Sequence, residues 1–205
     1  MRRRTFDLLM SMGGLVLTIV LLVAGSLLAV GWRFAETNVR DRLAAQHIFF
    51  PPKGSEQLAD PEVGPYLSQY AGQQLLTGEQ ALAWSDHYIA VHLEGVAGGK
   101  TYSEVSTLAR ENPGNEELAA QAETLFRGTT LRGMLLDAYA FWKFGQIAKV
   151  AGLVAFVLAG VMTILTILGF WHLRRVPATE ELLVLPEAAG QSSETYEAVG
   201  APGIR

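Results

Sequence analysis

Two long apolar runs, at residues 8–31 and 150–171, constrain the fold of this 205-residue chain more than any other feature. Each run reaches the roughly 20 residues that a helix needs to cross a bilayer, and neither contains Asp, Glu, Lys or Arg. A charge at the middle of a membrane helix costs about 3 kcal/mol, so the absence of charges is informative. The sequence therefore predicts an integral membrane protein with two spans, at residues 8–31 and 147–172.

Basic residues predict how the spans are oriented. Two dense arginine clusters lie outside the runs, one before the first run and one just after the second: Arg2, Arg3, Arg4, Arg174 and Arg175. Cytoplasmic flanks of membrane helices carry an excess of Lys and Arg. We therefore predict that residues 1–7 and 173–205 are cytoplasmic and that residues 32–146 lie outside. The first run is longer than the core of a cleaved signal peptide, roughly 7–15 residues, which favours an uncleaved anchor.

Aromatic residues flank the two runs, and small residues recur within them, as expected for a pair of packed membrane helices. Aromatic rings prefer the headgroup level of a bilayer, and five flank the runs: Trp32, Phe34, Trp142, Phe144 and Trp171. Small residues let membrane helices approach closely, and five recur at helical spacing: Gly25, Ala29, Ala151, Ala155 and Ala159. We predict that the two spans pack on each other as a hairpin. The same pattern is also consistent with dimerisation or with docking to a larger complex.

The middle domain, residues 32–146, has a mildly acidic and helical sequence. It carries nine Lys or Arg and fourteen Asp or Glu, a balance of −5, which disfavours nucleic acid as a partner. No stretch alternates apolar and polar residues over a useful length for a strand. Apolar residues continue at helical spacing beyond both runs, so we expect each span to extend outward as a stalk.

Turn and capping residues divide the middle domain into short helices. The first stalk should end before Pro51, because proline disfavours the helical conformation of the residue before it. A short helix is expected at residues 66–76. Further helices should begin after three capping residues: Thr77, Thr101 and Asn115. The last of them should run into the second span, with a kink or break at Gly128 and Gly133.

The predicted fold is therefore all-α: two transmembrane helices form a hairpin, extend outward as stalks and carry a small helical extracytoplasmic cap. Trp84 and Tyr88 lie on an apolar stripe at helical spacing, and we expect them to form the core of the cap. Residues 173–205 contain five Glu and several Pro, Gly and Ser residues with few apolar ones. This composition predicts a disordered acidic cytoplasmic tail.

One short segment contains residue types that bind metals: His87, His92 and Glu94. In an α-helix the five-residue spacing separates the two histidines by about 140°, whereas paired zinc-binding histidines use an i,i+4 spacing. His87 and Glu94 would lie about 10 Å apart along the helix, too far for one ion. The segment is therefore a weak metal candidate, and a solvated helix edge explains it better.

The remaining sequence shows no catalytic or cofactor motif. It has no cysteine, which excludes disulfides, thiolate nucleophiles and cysteine-bound zinc. It also lacks a Gly-x-Ser-x-Gly elbow and a complete phosphate-binding loop. We predict no cofactor and no catalytic residue.

Four segments of the chain carry a family resemblance: residues 3–7 (RRTFD), 70–74 (YAGQQ), 89–93 (IAVHL) and 131–142 (LRGMLLDAYAFW). They resemble a family of uncharacterised two-span integral membrane proteins from high-GC Gram-positive bacteria. The resemblance covers about residues 1–175 and implies a location in the bacterial plasma membrane. Some family members carry a ring-opening dioxygenase label, but this chain lacks the strands and spaced iron ligands of such enzymes.

These features favour a noncatalytic membrane protein that contacts the lipid bilayer. We expect an accessory or scaffold subunit whose cap contacts another envelope protein. The alternative is an extracytoplasmic ligand-sensing module that acts through a separate partner. An enzyme is the weakest of the three classes.

Overall fold

The computed structural model describes residues 3–175 and residue 177. It contains seven α-helices in this part of the chain: α1 Arg3–Ala44, α2 Glu56–Ala59, α3 Gly64–Leu67, α4 Gly78–Trp84, α5 Ala90–Ala97, α6 Tyr102–Glu111 and α7 Glu116–Leu173. A 3₁₀ helix, Ser68–Tyr70, follows α3, and a π-helical segment, Ser85–Ile89, joins α4 to α5. The described residues form no strand and one isolated antiparallel bridge, between Phe49 and Gln74. The all-α prediction is confirmed.

Helices α1 and α7, with 42 and 58 residues, are by far the longest. Both are long and apolar enough to cross a membrane. Most of their large apolar side chains in the two runs are exposed. The predicted acidic tail lies outside the described residues, apart from residues 173–175 and 177.

Of the described residues, those within Thr18–Gly160 form one compact unit, and those within Met1–Leu17 and Val161–Arg205 form a second. In the second of these units, α1 and α7 meet at small residues. A Cβ atom built on Gly14 would lie 2.7 Å from Thr166 Oγ1, and one on Gly169 would lie 2.6 Å from Ser11 Oγ. A larger side chain at Gly14 or Gly169 would therefore require the Thr166 or Ser11 side chain to shift.

In residues 18–160, α1 and α7 also approach each other at small residues. A Cβ on Gly25 would lie 3.1 Å from the Phe156 ring, and one on Gly152 would lie 3.3 Å from Leu28 Cβ. Two of the predicted packing residues are buried on α7, Ala155 at 8% exposure and Ala159 at 1%.

The structure differs from the sequence prediction at Ala151. Its side chain is exposed, and the buried Gly152 faces α1 instead. With 3.6 residues per turn, positions 152, 155 and 159 share one face, whereas a strict four-residue repeat drifts around the helix. The predicted Ala29 on α1 is half-buried, and its backbone nitrogen faces Gly152.

The short helices between α1 and α7 pack on the adjoining ends of these two helices. One core cluster comprises Val39, Leu43, Phe50, Val63, Leu67, Leu75, Ala81 and Leu135. A smaller cluster comprises Leu93, Ala97, Val105 and Leu125. Both clusters join α7 to the intervening helices, so the segment between the long helices folds against them.

The predicted helix starts are present. Thr77 and Thr101 each form a complete capping box, with Gln80 and Glu104 respectively. The Asn115 side chain accepts a hydrogen bond from the backbone N–H of Leu118.

The helix expected at residues 66–76 is shorter than predicted. Helical structure stops at Tyr70, and Gly72 adopts a φ of 72°. The next residues instead pair with the segment after α1: Phe50 N–H donates to Gln73 O, and Leu75 N–H donates to Ile48 O, each at 2.9 Å. Long-range backbone pairing therefore replaces the local helix.

The break expected at Gly128 and Gly133 is also absent, since α7 continues from Glu116 to Leu173. Gly128 is buried against Leu93, whose side chain occupies the space that a Cβ would need. Position 128 therefore needs glycine so that Leu93 can pack against α7. Gly133 has open space around it and interrupts nothing.

Candidate functional site

A cavity of about 500 Å³ lies between α1, α7 and the π-helical segment. Ten of its fourteen lining side chains are apolar: Val39, Leu43, Ile48, Trp84, Ile89, Leu131, Met134, Leu135, Ala138 and Phe141. The other four are Asn38, Arg42, Gln46 and Asp137. A mostly apolar cavity of this size with a few polar groups is typical of a small-molecule site.

Helical spacing on α7 makes the cavity elongated. Its α7 wall runs from Leu131 to Phe141 on one face, a rise of about 15 Å at 1.5 Å per residue. Its α1 wall runs from Asn38 to Leu43, a rise of about 7.5 Å, and Gln46 adds to it from the turn after α1. The cavity is therefore a groove along the two helices, and we refer to it as the stalk groove.

The contact between Gly145 and Ala35 sets the relative heights of residues in the stalk groove. A Cβ on Gly145 would lie 2.7 Å from Ala35 Cβ, and the two helices run in opposite directions from this crossing. Arg42 is seven residues beyond Ala35, and Asp137 is eight residues before Gly145. Both therefore lie roughly 10–12 Å from the crossing, at nearly the same height.

These two residues give the rim of the stalk groove one positive and one negative charge. Arg42 Nε donates a hydrogen bond to Asn38 Oδ1 at 2.8 Å, which fixes the base of the guanidinium group. Within residues 3–175 and 177, neither Arg42 nor Asp137 forms an ion pair with another side chain. Both side chains are exposed. The charges are thus available to a ligand.

The π-helical segment Ser85–Ile89 forms the far wall of the groove. Its last residue, Ile89, lines the cavity, as does Trp84, which directly precedes it at the end of α4. The backbone N–H of Ala90 donates to Ser85 O, the i to i+5 pattern of a π-turn. Isolated π-turns occur frequently at functional sites in proteins.

Arg132 on α7 holds this π-turn in place. Its Nε donates to Ser85 O at 3.1 Å, and its Nη2 donates to Asp86 Oδ1 at 3.1 Å. Ser85 is fully buried, so its carbonyl oxygen accepts from both Ala90 and Arg132 without access to water. No periodicity or capping signal in the sequence distinguishes this insertion from ordinary α-helix, so sequence reasoning missed it.

Trp84 and Tyr88, the predicted core of the cap, lie at the edge of the larger core cluster and are half-buried. The Trp84 ring meets Phe50 edge-on at 5.1 Å and stacks on Tyr88 at 4.3 Å. Trp84 also lines the stalk groove. Trp84 therefore links the core to the candidate site.

The weak metal candidates are separated in the structure. His87 stacks on Tyr66 with ring centroids 3.6 Å apart, whereas His92 and Glu94 are exposed on α5. Among the residues described, no three His, Asp or Glu side chains are grouped to hold a metal ion. The π-turn between Ser85 and Ile89 also changes the angles around the helix, so the sequence argument from uniform α-helical geometry does not apply here.

The predicted interface aromatics take different environments. Phe34 and Phe144 are 60% and 71% exposed, and Phe34 meets Phe141 edge-on at 6.2 Å. Trp32 lies under Lys149, whose Nζ is 4.7 Å from the ring centroid. Trp142 is half-buried, because its side chain packs directly under Gly78 at the start of α4.

The fifth interface aromatic, Trp171, is 53% exposed. Arg175 lies 4.3 Å from the centroid of its ring.

No protein-family model, curated protein or solved structure matches this chain. The resemblance to a two-span bacterial membrane family therefore stays a prediction.

Proposed function

We propose that this chain is a noncatalytic plasma-membrane protein whose helical cap binds an apolar ligand outside the cell. In this proposal α1 and α7 form a transmembrane hairpin with both termini in the cytoplasm, and the stalk groove lies just beyond the outer surface of the bilayer. Of the two main classes considered from sequence, the groove favours the ligand-binding module. A sensing role would be exerted through a separate partner.

The observation that carries this proposal is the composition of the stalk groove. When the groove is empty, its ten apolar lining residues are exposed to water, which is unfavourable. An apolar ligand would cover this surface. Trp84 and Ile89 connect the groove to the π-turn that Arg132 contacts. A ligand in the groove would therefore contact residues next to this turn, which supports coupling between ligand binding and the conformation of the cap.

Cysteine labelling tests the proposed orientation. The chain contains no cysteine, so single introduced cysteines report unambiguously. Lys53→Cys, at an exposed turn, should react with a membrane-impermeant maleimide in intact cells. Ser192→Cys should react only after lysis. Labelling of Ser192→Cys in intact cells would contradict the orientation.

Tryptophan fluorescence tests ligand binding. The chain has four tryptophans, and replacing Trp32, Trp142 and Trp171 with Phe leaves Trp84 as the sole reporter. In phosphatidylcholine nanodiscs, added bromododecanol should quench Trp84, because bromine quenches only at short range. Ala138→Phe should reduce the quenching by filling the groove, whereas Ala140→Phe, exposed on the same helix outside the groove, should not. Equal quenching in both variants would contradict binding in the groove.

The second candidate function is an accessory or scaffold subunit of a cell-envelope complex. It is favoured by an aromatic pair in the cap: Tyr102 and Phe126 lie 5.6 Å apart and are 39% and 50% exposed. Exposed aromatic residues are enriched in protein–protein interfaces. Purification in mild detergent should then recover a stoichiometric envelope protein that Phe126→Ser releases. Recovery that is unaffected by Phe126→Ser would contradict a role for this pair.

A further inference from the structure

We propose that the ligand of the stalk groove is a zwitterionic phospholipid, with a phosphate and an ammonium group, raised partway out of the outer leaflet. This inference rests on the proposed function and orientation, and it specifies the ligand class. The lipid headgroup would lie between Arg42 and Asp137, and one acyl chain would lie along the groove toward the bilayer.

The first supporting observation is where the groove ends. Phe141 closes the end nearest the Ala35–Gly145 crossing, and it pairs with the exposed Phe34. Phe144, one turn further along α7, is also exposed. Exposed aromatic rings at the ends of membrane helices favour the headgroup level. The groove thus begins where the bilayer ends, and a lipid can enter it without crossing water.

The second observation is the length of the groove. The hydrocarbon core of a bilayer is about 30 Å thick, so the chains of one leaflet extend about 15 Å. From Asp137 to Phe141, the part of the α7 wall that leads toward the bilayer rises about 6 Å. With the headgroup at Asp137, this part of the groove would cover the upper part of one acyl chain, and the rest of the chain would stay in the bilayer.

The third observation is the charge of the rim. Arg42 and Asp137 are opposite in sign and nearly equal in height, and neither forms an ion pair with another described residue. An arginine suits a phosphate, because its planar group donates two parallel hydrogen bonds. Asp137 suits an ammonium group. A fatty acid or an anionic phospholipid would leave its charge next to Asp137, which disfavours both.

Headgroup selection can be measured within a single membrane composition. Nanodiscs contain equal amounts of phosphatidylethanolamine and phosphatidylglycerol, and only one of the two lipids carries a brominated chain. In the protein with Trp84 as its sole tryptophan, brominated phosphatidylethanolamine should quench more strongly than brominated phosphatidylglycerol. We expect a preference of roughly two- to five-fold, the range that an exposed ion pair supplies.

A charge reversal gives the matched control. Asp137→Lys makes the rim doubly positive and should shift the preference to brominated phosphatidylglycerol. Asp41→Lys makes the same charge change at an exposed α1 residue that does not line the groove, and it should leave the preference unchanged.

The outcomes separate this inference from the proposed function. Equal quenching by the two lipids would overturn headgroup recognition while leaving an apolar ligand site. Quenching by bromododecanol but by neither lipid would overturn the lipid inference alone. Quenching by none of the three probes would overturn the proposed function as well.

Discussion

Two glycines of α7 allow a paired test of how the short helices pack on this helix. Gly128 and Gly133 lie five residues apart in the same unbroken helix. A Cβ on Gly128 would lie 2.7 Å from Leu93 Cδ1 and 2.9 Å from Leu93 Cγ, closer than such atoms can pack. A Cβ on Gly133 would meet no atom within 4 Å. The same substitution should therefore have opposite effects at the two positions.

The magnitudes follow from two opposing contributions to the free energy of unfolding. Alanine is favoured over glycine in a helix interior by about 1 kcal/mol, so Gly133→Ala should stabilise the protein by about that amount. Gly128→Ala gains the same term, but overpacking a core costs about 1–3 kcal/mol. Leu93 is 7% exposed and is enclosed by Val105 and Leu125, so it has little room to move. We expect Gly128→Ala to be destabilising by up to about 2 kcal/mol.

Thermal unfolding in one detergent, followed by far-ultraviolet circular dichroism, measures both variants. In a chain of this size, about 1 kcal/mol corresponds to a shift in Tm of about 2–4 °C. We expect Gly133→Ala to raise Tm by this amount and Gly128→Ala to lower it. In a Leu93→Ala background the clash is removed, so adding Gly128→Ala should then raise Tm. Equal increases for both glycine variants in the wild-type background would refute the contact between Gly128 and Leu93.

Four further variants test other contacts between α7 and the short helices, or within those helices. Arg132→Met should lower the free energy of unfolding by about 1 kcal/mol in chemical denaturation, because Ser85 O loses a buried hydrogen bond. Asp86→Asn keeps that bond and should have a smaller effect. Trp84→Ala should cost about 3 kcal/mol, at the low end for large aromatic truncations because the ring is only half-buried; an unshifted Tm would contradict its place in the core. Hydrogen bonds from the Thr101 backbone and side chain lower the pKa of Glu104 below its ordinary value of 4.5, so its contribution to stability is complete above that pH and is lost as the pH falls through the folded-state pKa. Glu104→Gln should flatten this acid limb of a Tm–pH profile, and an unchanged limb would contradict the capping-box assignment.

Helix starts could be predicted from sequence because they depend on neighbouring residues. The capping boxes at Thr77 and Thr101 need only a side chain three residues away, and the structure contains both. The helix expected at residues 66–76 failed for the opposite reason. Backbone hydrogen bonds from Phe50 to Gln73 and from Leu75 to Ile48 join segments that are more than twenty residues apart in the chain. Local propensity carries no information about such partners.

In the candidate site, too, local features could be predicted from sequence and long-range contacts could not. The stalk-groove residues of α7 recur at helical spacing, so their common face was visible in the sequence. The sequence did not show that α1 and the π-turn stop short of covering this face. It also could not show that Arg132 reaches Ser85, 47 residues away in the chain, or that Arg42 and Asp137 lie at one height.

By itself, the sequence determined the helical class, the two long apolar helices and the caps of the short ones. Hydrophobicity, helical periodicity and capping act within a few residues, so these features need no knowledge of the rest of the chain. Only the tertiary structure decided that Gly152 rather than Ala151 faces α1 and that Leu93 packs against Gly128. It also decided that a groove remains open beside Trp84. These outcomes depend on which surfaces meet and how closely side chains fill the space between them.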